Sequence, residues 1–425
     1  MLLLFCLFTP FLSARITHTL VKKQTHLTTT RLVIIYFAVG IIFATSCVIF
    51  ITEFTALSSV ALLLLTIIAF VREFLVCWDP PVKDIILHLT PSQHNQSSAA
   101  TTCSDGKLPK PSSKKQIKSG TFYKEYHSHK IKHLVTVKRA LEERGCKQFI
   151  YLCGDSSLDN KHWFFDPFKI KSKQMNNSHF TAPAINEYEA ILKEPSRMVM
   201  DVSYHLNKQA EERFGSGSVC TIMSSIEEST IADRASSPTG LLLQDHFIRD
   251  TIQPTDSLIV SVGGNDIALN PSIRTVINMA LLLHSPSWMI RYGIAPGFGY
   301  FVKMFHAKIQ EFVLNIIDKN VPQNIIICMI YYPSQERGGW ADDTLQKLGY
   351  NERPEKLQFI IRCLFEAIKK KGFPKLVDSG TKVIPFPLYQ VLTENKDYVQ
   401  RVEPSVQGGR KMALAFMDAL FGVVH

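Results

Sequence analysis

Two short polar clusters follow apolar runs in this chain. The run "QFIYLC" (148–153) breaks into Gly154-Asp155-Ser156-Ser157, and "SLIVSV" (257–262) breaks into Gly263-Gly264-Asn265-Asp266. A strand, a tight turn and a small hydroxyl residue are how many hydrolases display a nucleophile, which makes Ser156 a candidate. A serine hydroxyl attacks poorly at neutral pH until a base takes its proton. Glycines such as Gly263 permit a tight turn and close backbone approach to a ligand. The Asn265 amide and neighbouring backbone N–H groups are the donors an oxyanion hole requires. Together the clusters point to acyl transfer, which needs no metal or organic cofactor.

From about residue 134 the chain alternates strand-like and helix-like segments. Strands are expected at 148–153, 197–202, 218–223, 257–262, 324–331 and 381–386. The runs "SLIVSV" and "NIIICMIYY" are continuously apolar, as central parallel strands covered on both faces must be. Amphipathic segments such as "FVKMFHAKIQEFVLNIIDK" and "PEKLQFIIRCLFEAIKKKG" lie between them. This alternation predicts an α/β fold, a three-layer α/β/α sandwich with a mainly parallel sheet. In such sheets ligands sit beyond the carboxyl ends of the strands, where both polar clusters fall.

The order Gly-Asp-Ser after one strand and Gly-Gly-Asn-Asp after a later one resembles the SGNH (GDSL-type) hydrolases. The resemblance covers roughly residues 145 to 421 and implies the sandwich fold, with Ser156 as nucleophile and Asn265 as oxyanion donor. A middle-block glycine donates a further N–H in that family. Here "SSIEESTIADR" puts Glu228 or Ser229 at that place. The family ends in Asp-x-x-His before a final helix, whereas this chain reads "DYVQRVEPSVQGGRKMALAFMDAL". The Pro-Ser and Gly-Gly frame aligns Gln400 with the aspartate and Glu403 with the histidine, and no histidine lies between His306 and His425.

Three readings of the missing base stand open. Glu403 takes the serine proton, its affinity raised by partial burial. His162, six residues after Ser156 in "LDNKHW", reaches the serine from the same turn, with Asp159 and Asn160 orienting it or lying on a surface loop. Or the pocket binds without hydrolysing. Of the two bases, the frame favours Glu403. Asp266 reads as a residue that caps or ties down its turn.

The remaining sequence bounds the setting. Residues 32–71 form an apolar block broken only by Glu53. A membrane span needs ~20 apolar residues, so the block is read as a hairpin of two transmembrane helices within 32–76. Cations on both flanks (Arg15, Lys22, Lys23 and Arg31; Arg72 and Lys83) suit cytoplasmic ends. The globular domain, 134–425, is then cytoplasmic and anchored in the membrane by an integral N-terminal segment. Residues 1–31 resemble the apolar core of a signal peptide without its basic n-region; insertion there would reverse the side. Residues 77–133, rich in Ser, Thr, Pro and Lys, read as a basic flexible linker.

Nine cysteines form no C-x-x-C pair, against zinc ribbons and thioredoxin-like chemistry. His127, His129 and His133 lack a carboxylate or cysteine to complete a ligand set and read as a surface helix start. The net charge of +10 is concentrated at 107–138, with no phosphate loop and no RNA-binding motif, so nucleic acid is not an expected partner. The expected partner is a small-molecule or lipid ester. The apolar stretch 275–305 exceeds what one connecting helix needs. It reads as an acyl pocket, a lid, a bilayer-touching surface or a helical pair packed on the sheet.

Overall fold

The structure, a computed structural model, describes residues 116–165, 175–193 and 195–423. Its centre is a five-stranded sheet of β1 (Gln148–Gly154), β2 (Val219–Met223), β3 (Ser257–Ser261), β4 (Asn324–Met329) and β5 (Lys382–Pro387). The spatial order is β2-β1-β3-β4-β5, and all four pairings are parallel. Pro385 and Pro387 fall in β5, at the sheet's edge, where a missing N–H is tolerated.

β1 to β4 are largely apolar because both faces are covered, whereas the edge strand β5 is only partly buried, and the period of two divides the side chains between two cores. Phe149, Tyr151, Cys153, Leu258, Val260, Ile325 and Ile327 enter one core. That core is closed by α1 (Ile131–Glu143), α4 (Leu243–Thr251), α8 (Ile309–Ile316) and α10 (Pro354–Lys371). Ile150, Leu152, Ile259, Ile326 and Cys328 enter the other, against α2 (Val202–Phe214) and α11 (Val406–Phe421). The result is the expected three-layer arrangement. Full burial of each large aliphatic side chain contributes about 1.5–3 kcal/mol, so the two cores outweigh any single polar contact in holding the layers.

Between β1 and β3 the order of strand addition reverses, which opens a crevice at the carboxyl end of the sheet. The turns after β1 and β3 both enter it. On its rim lie the short α3 (Ile231–Ser236), the single turn α5 (Asn265–Ala268), α6 (Ile273–His284) and α7 (Phe298–Val302). A wide π-type turn at Lys303–Lys308 joins α7 to α8, and α9 (Asp342–Lys347) follows β4. A two-strand hairpin of β6 (Tyr398–Val399) and β7 (Glu403–Pro404) precedes α11.

Three expectations are corrected here. Residues 197–202 are not a strand of the central sheet. Arg197–Val199 pairs antiparallel with Thr181–Pro183, and Asp201 then caps α2 by accepting the Tyr204 N–H at 2.8 Å. Residues 116–133, assigned to the linker, belong to the fold: Ile117 and Lys118 pair with Leu192 and Lys193, and Phe122 and Tyr123 are buried. His129 and His133 are likewise buried and not on the surface. His129 stacks on Phe122 at 4.0 Å, and its Nδ1 lies 2.8 Å from the Phe122 carbonyl. The two spans expected within 32–71 and the segment 1–31 lie outside the described residues. Among the described residues no helix is long and apolar enough to cross a membrane.

Gly154 ends β1 with φ +147°, and a Cβ there would stand 1.8 Å from the Ser261 carbonyl oxygen. Because that oxygen belongs to the neighbouring strand, relief would require β1 and β3 to separate. Gly154→Ala is therefore expected to lower stability by about 3 kcal/mol or more, measured by denaturant midpoint. A loss below about 0.5 kcal/mol, ordinary for a surface change, would contradict this packing.

Candidate active site

The turn after β1 is held by its own side chains. The Asp155 N–H donates to the Ser261 carbonyl at 3.0 Å. The Asp155 carboxyl accepts the Ser157 N–H at 3.0 Å and the Ser157 hydroxyl at 2.6 Å. Ser157 Oγ lies 2.7 Å from Ser261 Oγ, locking the turn to β3. Burial pushes the Asp155 carboxyl up to about 6, against the pull of its Ser157 hydrogen bonds. Asp155 is thus a turn anchor, and it leaves Ser156 facing the crevice.

Ser156 Oγ donates to Glu403 Oε1 at 3.2 Å. The two residues are 247 positions apart, so the hairpin carrying Glu403 must be fixed with care. Its turn uses two left-handed residues, Gln400 (φ 52°) and Arg401 (φ 70°). Tyr331 Oη donates to the Val402 carbonyl at 2.5 Å and Asn160 Nδ2 to the Pro404 carbonyl at 2.6 Å, gripping β7 on either side of Glu403. Arg401 does not pair with Glu403. Its guanidinium binds Asp342, the Asn351 amide oxygen at 2.9 Å and the Ser334 carbonyl. Two residues downstream of Glu403, Ser405 Oγ accepts the Gly408 N–H at 3.1 Å and caps α11. A Cβ on Gly408 would lie 2.1 Å from the Asp397 carbonyl, so glycine lets the helix seat against the hairpin.

Glu403 is buried. Loss of water pushes its carboxyl up to about 8, and the charges of Asp155 and Glu228 add to the rise. Hydrogen bonds from Ser156 and from Trp340, whose Nε1 donates to Oε1 at 3.2 Å, pull the other way. Trp340 is held in turn by Trp163, with ring centroids 6.1 Å apart at 24°. Its backbone N–H donates to the Gln400 amide oxygen at 3.3 Å. Gln400 thus supports the tryptophan loop.

Asn265, at the start of α5, is buried and shares a cavity with Ser156 and Glu403. Its Nδ2 donates to the Ser229 carbonyl at 3.2 Å, tying it to the middle block. The Ser229 N–H donates to the Ile226 carbonyl at 3.2 Å, while Glu228 occupies the left-handed region at φ 62°. That is the backbone a glycine would adopt most readily. The buried Arg234 cross-links this block to β1 and α4. It pairs with Asp245 at 3.0 Å and donates to Ser229 Oγ at 3.0 Å and to the Gly154 carbonyl at 3.2 Å. Asp266 accepts the Ile231 and Ala232 N–H groups and so caps α3.

Three expectations about the site change. Gly263 does not line the cavity, although Gly264 does. Gly263 has φ +110°, and a Cβ would meet the Phe305 ring at 2.8 Å, so its role is to turn the chain under that ring. His162 is buried, with its ring 4.2 Å from the Tyr126 ring, and it does not line the cavity around Ser156. The loop behind the serine is buried and not a surface loop. Lys161 pairs with Asp159 at 2.5 Å and with Glu227. Burial works against the lysine's charge, but the flanking carboxylates outweigh it and hold its pKa above the usual value.

Sequence reasoning missed Trp340 and the clamp from Asn160. A tryptophan beside "RGG" was the only signal for the first. The cavity measures about 110 Å³. Beyond the polar residues named and Thr344 it is apolar, lined by residues such as Met279, Phe301, Phe305, Leu345, Leu357, Ile361 and Leu364. The stretch 275–305 therefore contributes both a wall of this cavity and packing on the sheet.

No family model matches the chain, and no curated protein matches it. Solved structures similar to it include an acetyl xylan esterase from Geobacillus stearothermophilus, with a TM-score of 0.34, 13% identity and coverage of 66% of this chain and 98% of that one. An extracellular lipase from Streptomyces rimosus has a TM-score of 0.34 and 10% identity, covering 64% and 99%. A phospholipase A1 from Streptomyces albidoflavus NA297 has a TM-score of 0.29 and 11% identity, covering 64% and 99%.

The Glu403 carboxyl titrates near 8 when folded and near ~4.3 when unfolded. Between those values the folded state holds a proton that the unfolded state has lost, so this group's contribution to stability falls as pH rises. Glu403→Gln cannot ionise. The variant is expected to gain stability relative to wild type from about pH 5 to pH 8 and to keep a constant margin above, measured by urea midpoints. A margin that does not change with pH would contradict the raised carboxyl.

Proposed function

We propose that this chain is a membrane-anchored serine ester hydrolase of the SGNH type, with Glu403 in the place of the family's histidine. The observation that carries the reading is the buried hydrogen bond from Ser156 Oγ to Glu403, beside Asn265 in an apolar cavity. Ser156 Oγ attacks the acyl carbonyl as its proton passes to Glu403. The carbonyl oxygen takes up negative charge facing Asn265 Nδ2 and the backbone N–H of Ser156. The tetrahedral adduct collapses, the ester C–O bond breaks, and Glu403 returns the proton to the leaving alcohol. Water, deprotonated by the same carboxylate, attacks the acyl-enzyme; the bond to Ser156 Oγ breaks, Glu403 returns the proton to that oxygen, and the acid leaves. The apolar walls favour an ester with an apolar acyl group. Anchoring rests on the two apolar segments within 32–71, with the domain on the cytoplasmic side.

A second reading, binding without turnover, is favoured by one observation. With its carboxyl pushed up to about 8 by burial, Glu403 is mostly neutral at pH 7, and only its minor ionised fraction can accept the proton. The two readings separate by pH. Fluorophosphonate labelling of the full-length protein is expected to require Ser156 and to rise about tenfold per pH unit below pH 8, with a plateau above. Glu403→Gln is expected to cut the rate by about 100-fold or more, and His162→Ala to keep the same pH profile. A folded protein that stays unlabelled from about pH 6 to pH 10 would favour binding alone.

A further inference from the structure

We propose that the outer face of residues 273–294 docks on an anionic lipid bilayer, as a contact separate from the N-terminal apolar block. Helix α6 exposes aliphatic residues while burying two polar ones. Its buried side carries Thr275 and Asn278 besides Met279 and Leu282. Its outer side carries Ile273 (63% exposed), Val276 and Ile277. The following turns add Trp288, Tyr292 (75% exposed) and Ile294. Single exposed apolar residues are ordinary, but six within 22 positions are not.

The buried polar groups are satisfied within the fold, so this orientation is built in. Thr275 Oγ1 lies 2.7 Å from Tyr300 Oη, and Asn278 Nδ2 donates to the Arg274 carbonyl at 2.8 Å. A Cβ on Gly297 would lie 2.2 Å from the Asn278 carbonyl, so the segment leading into α7 packs directly on the α6 backbone.

Charge selects the occupant. Residues 267–310 hold Arg274, Arg291, Lys303 and Lys308 and no aspartate or glutamate. From α10, Lys356 Nζ donates to the Ser285 carbonyl at 2.6 Å, and Arg291 and Arg362 both sit over the Phe359 ring, at 5.8 and 5.9 Å. Exposed aliphatics with a tryptophan and a tyrosine, in a segment that carries cations and no acid of its own, match the interface of an anionic leaflet; the neighbouring α10 carries Glu355 beside Lys356, so the positive charge is concentrated on 267–310. A second copy of the same face would set cation against cation. Met279 of α6 also lines the cavity at Ser156. One helix therefore separates the docking face from the cavity, which, on the hydrolase reading, gives an acyl chain a short path from the leaflet.

The test uses the full-length protein in vesicles of phosphatidylcholine alone or with about 30% phosphatidylserine, with and without brominated acyl chains. The Trp288 signal is the difference between wild type and Trp288→Phe. That signal is expected to fall at least about twofold with brominated lipid when phosphatidylserine is present, and to recover in Arg274→Glu/Arg291→Glu or at about 0.5 M salt. Equal emission with and without brominated lipid would overturn docking, as would Trp288 burial that follows protein concentration in detergent, which would make the occupant a second copy. Fluorophosphonate labelling read on the same samples keeps the two proposals apart. Quenching without labelling removes the hydrolase alone, and labelling without quenching removes docking alone.

Discussion

A carboxyl group buried against a serine hydroxyl is costly to keep charged, and the arrangement of this domain follows from that cost. An isolated buried carboxylate would take up a proton and remain neutral. At Glu403 two donors, Ser156 and Trp340, converge on one oxygen and oppose the loss of water. The balance leaves a carboxyl poised between neutral and ionised near pH 8. A general base works best with an affinity close to the working pH, so burial that would weaken an ordinary glutamate suits this one to the task.

The sheet supplies the fixed points. β1 and β3 end side by side at the reversal of strand order, and Gly154 lets them approach closely enough for Ser156 and Asn265 to face one cavity. The hairpin bearing Glu403 has few residues of its own to rely on, so it is gripped by Tyr331 from beyond β4, Asn160 from the serine loop and the cap of α11. Buried ion pairs, Arg234–Asp245 and Lys161 with Asp159 and Glu227, fix the loops that carry these contacts. Such pairs contribute little net stability, but removing one partner strands a charge, which makes them effective at holding one loop geometry.

Much of this was legible in the sequence where a local rule decides the outcome. The five strands of the sheet fall within or beside segments expected to be strands, and β3 and β4 follow continuous apolar runs because strands covered on both faces leave no other pattern. Ser156 and Asn265 were found from glycine turns after those runs, and Glu403 from the Pro-Ser and Gly-Gly frame, whose physical content is the Ser405 cap and the close seat of Gly408. What escaped depends on residues far apart in sequence. Trp340 reaches Glu403 from 63 positions away and Lys161 reaches Glu227 from 66, with no periodicity to announce either. The segment 197–202 misled because its apolar residues suit a strand, while Asp201 starts a helix in its midst. His129 and His133 misled because a polar, basic stretch concealed side chains that face inward.

The central claim is that Glu403 is a buried carboxyl whose ionisation is delayed by its surroundings and modulated by Ser156. It is tested most directly by following the Glu403 side-chain carbon by NMR in protein carrying 13C-labelled glutamate, with Glu403→Gln to assign the signal. A midpoint near 8 that moves upward in Ser156→Ala, as the hydroxyl's hydrogen bond is lost, is the predicted result. A midpoint near the ordinary ~4.3, unmoved by Ser156→Ala, would mean that the carboxyl is solvated and apart from the serine, and would contradict the account.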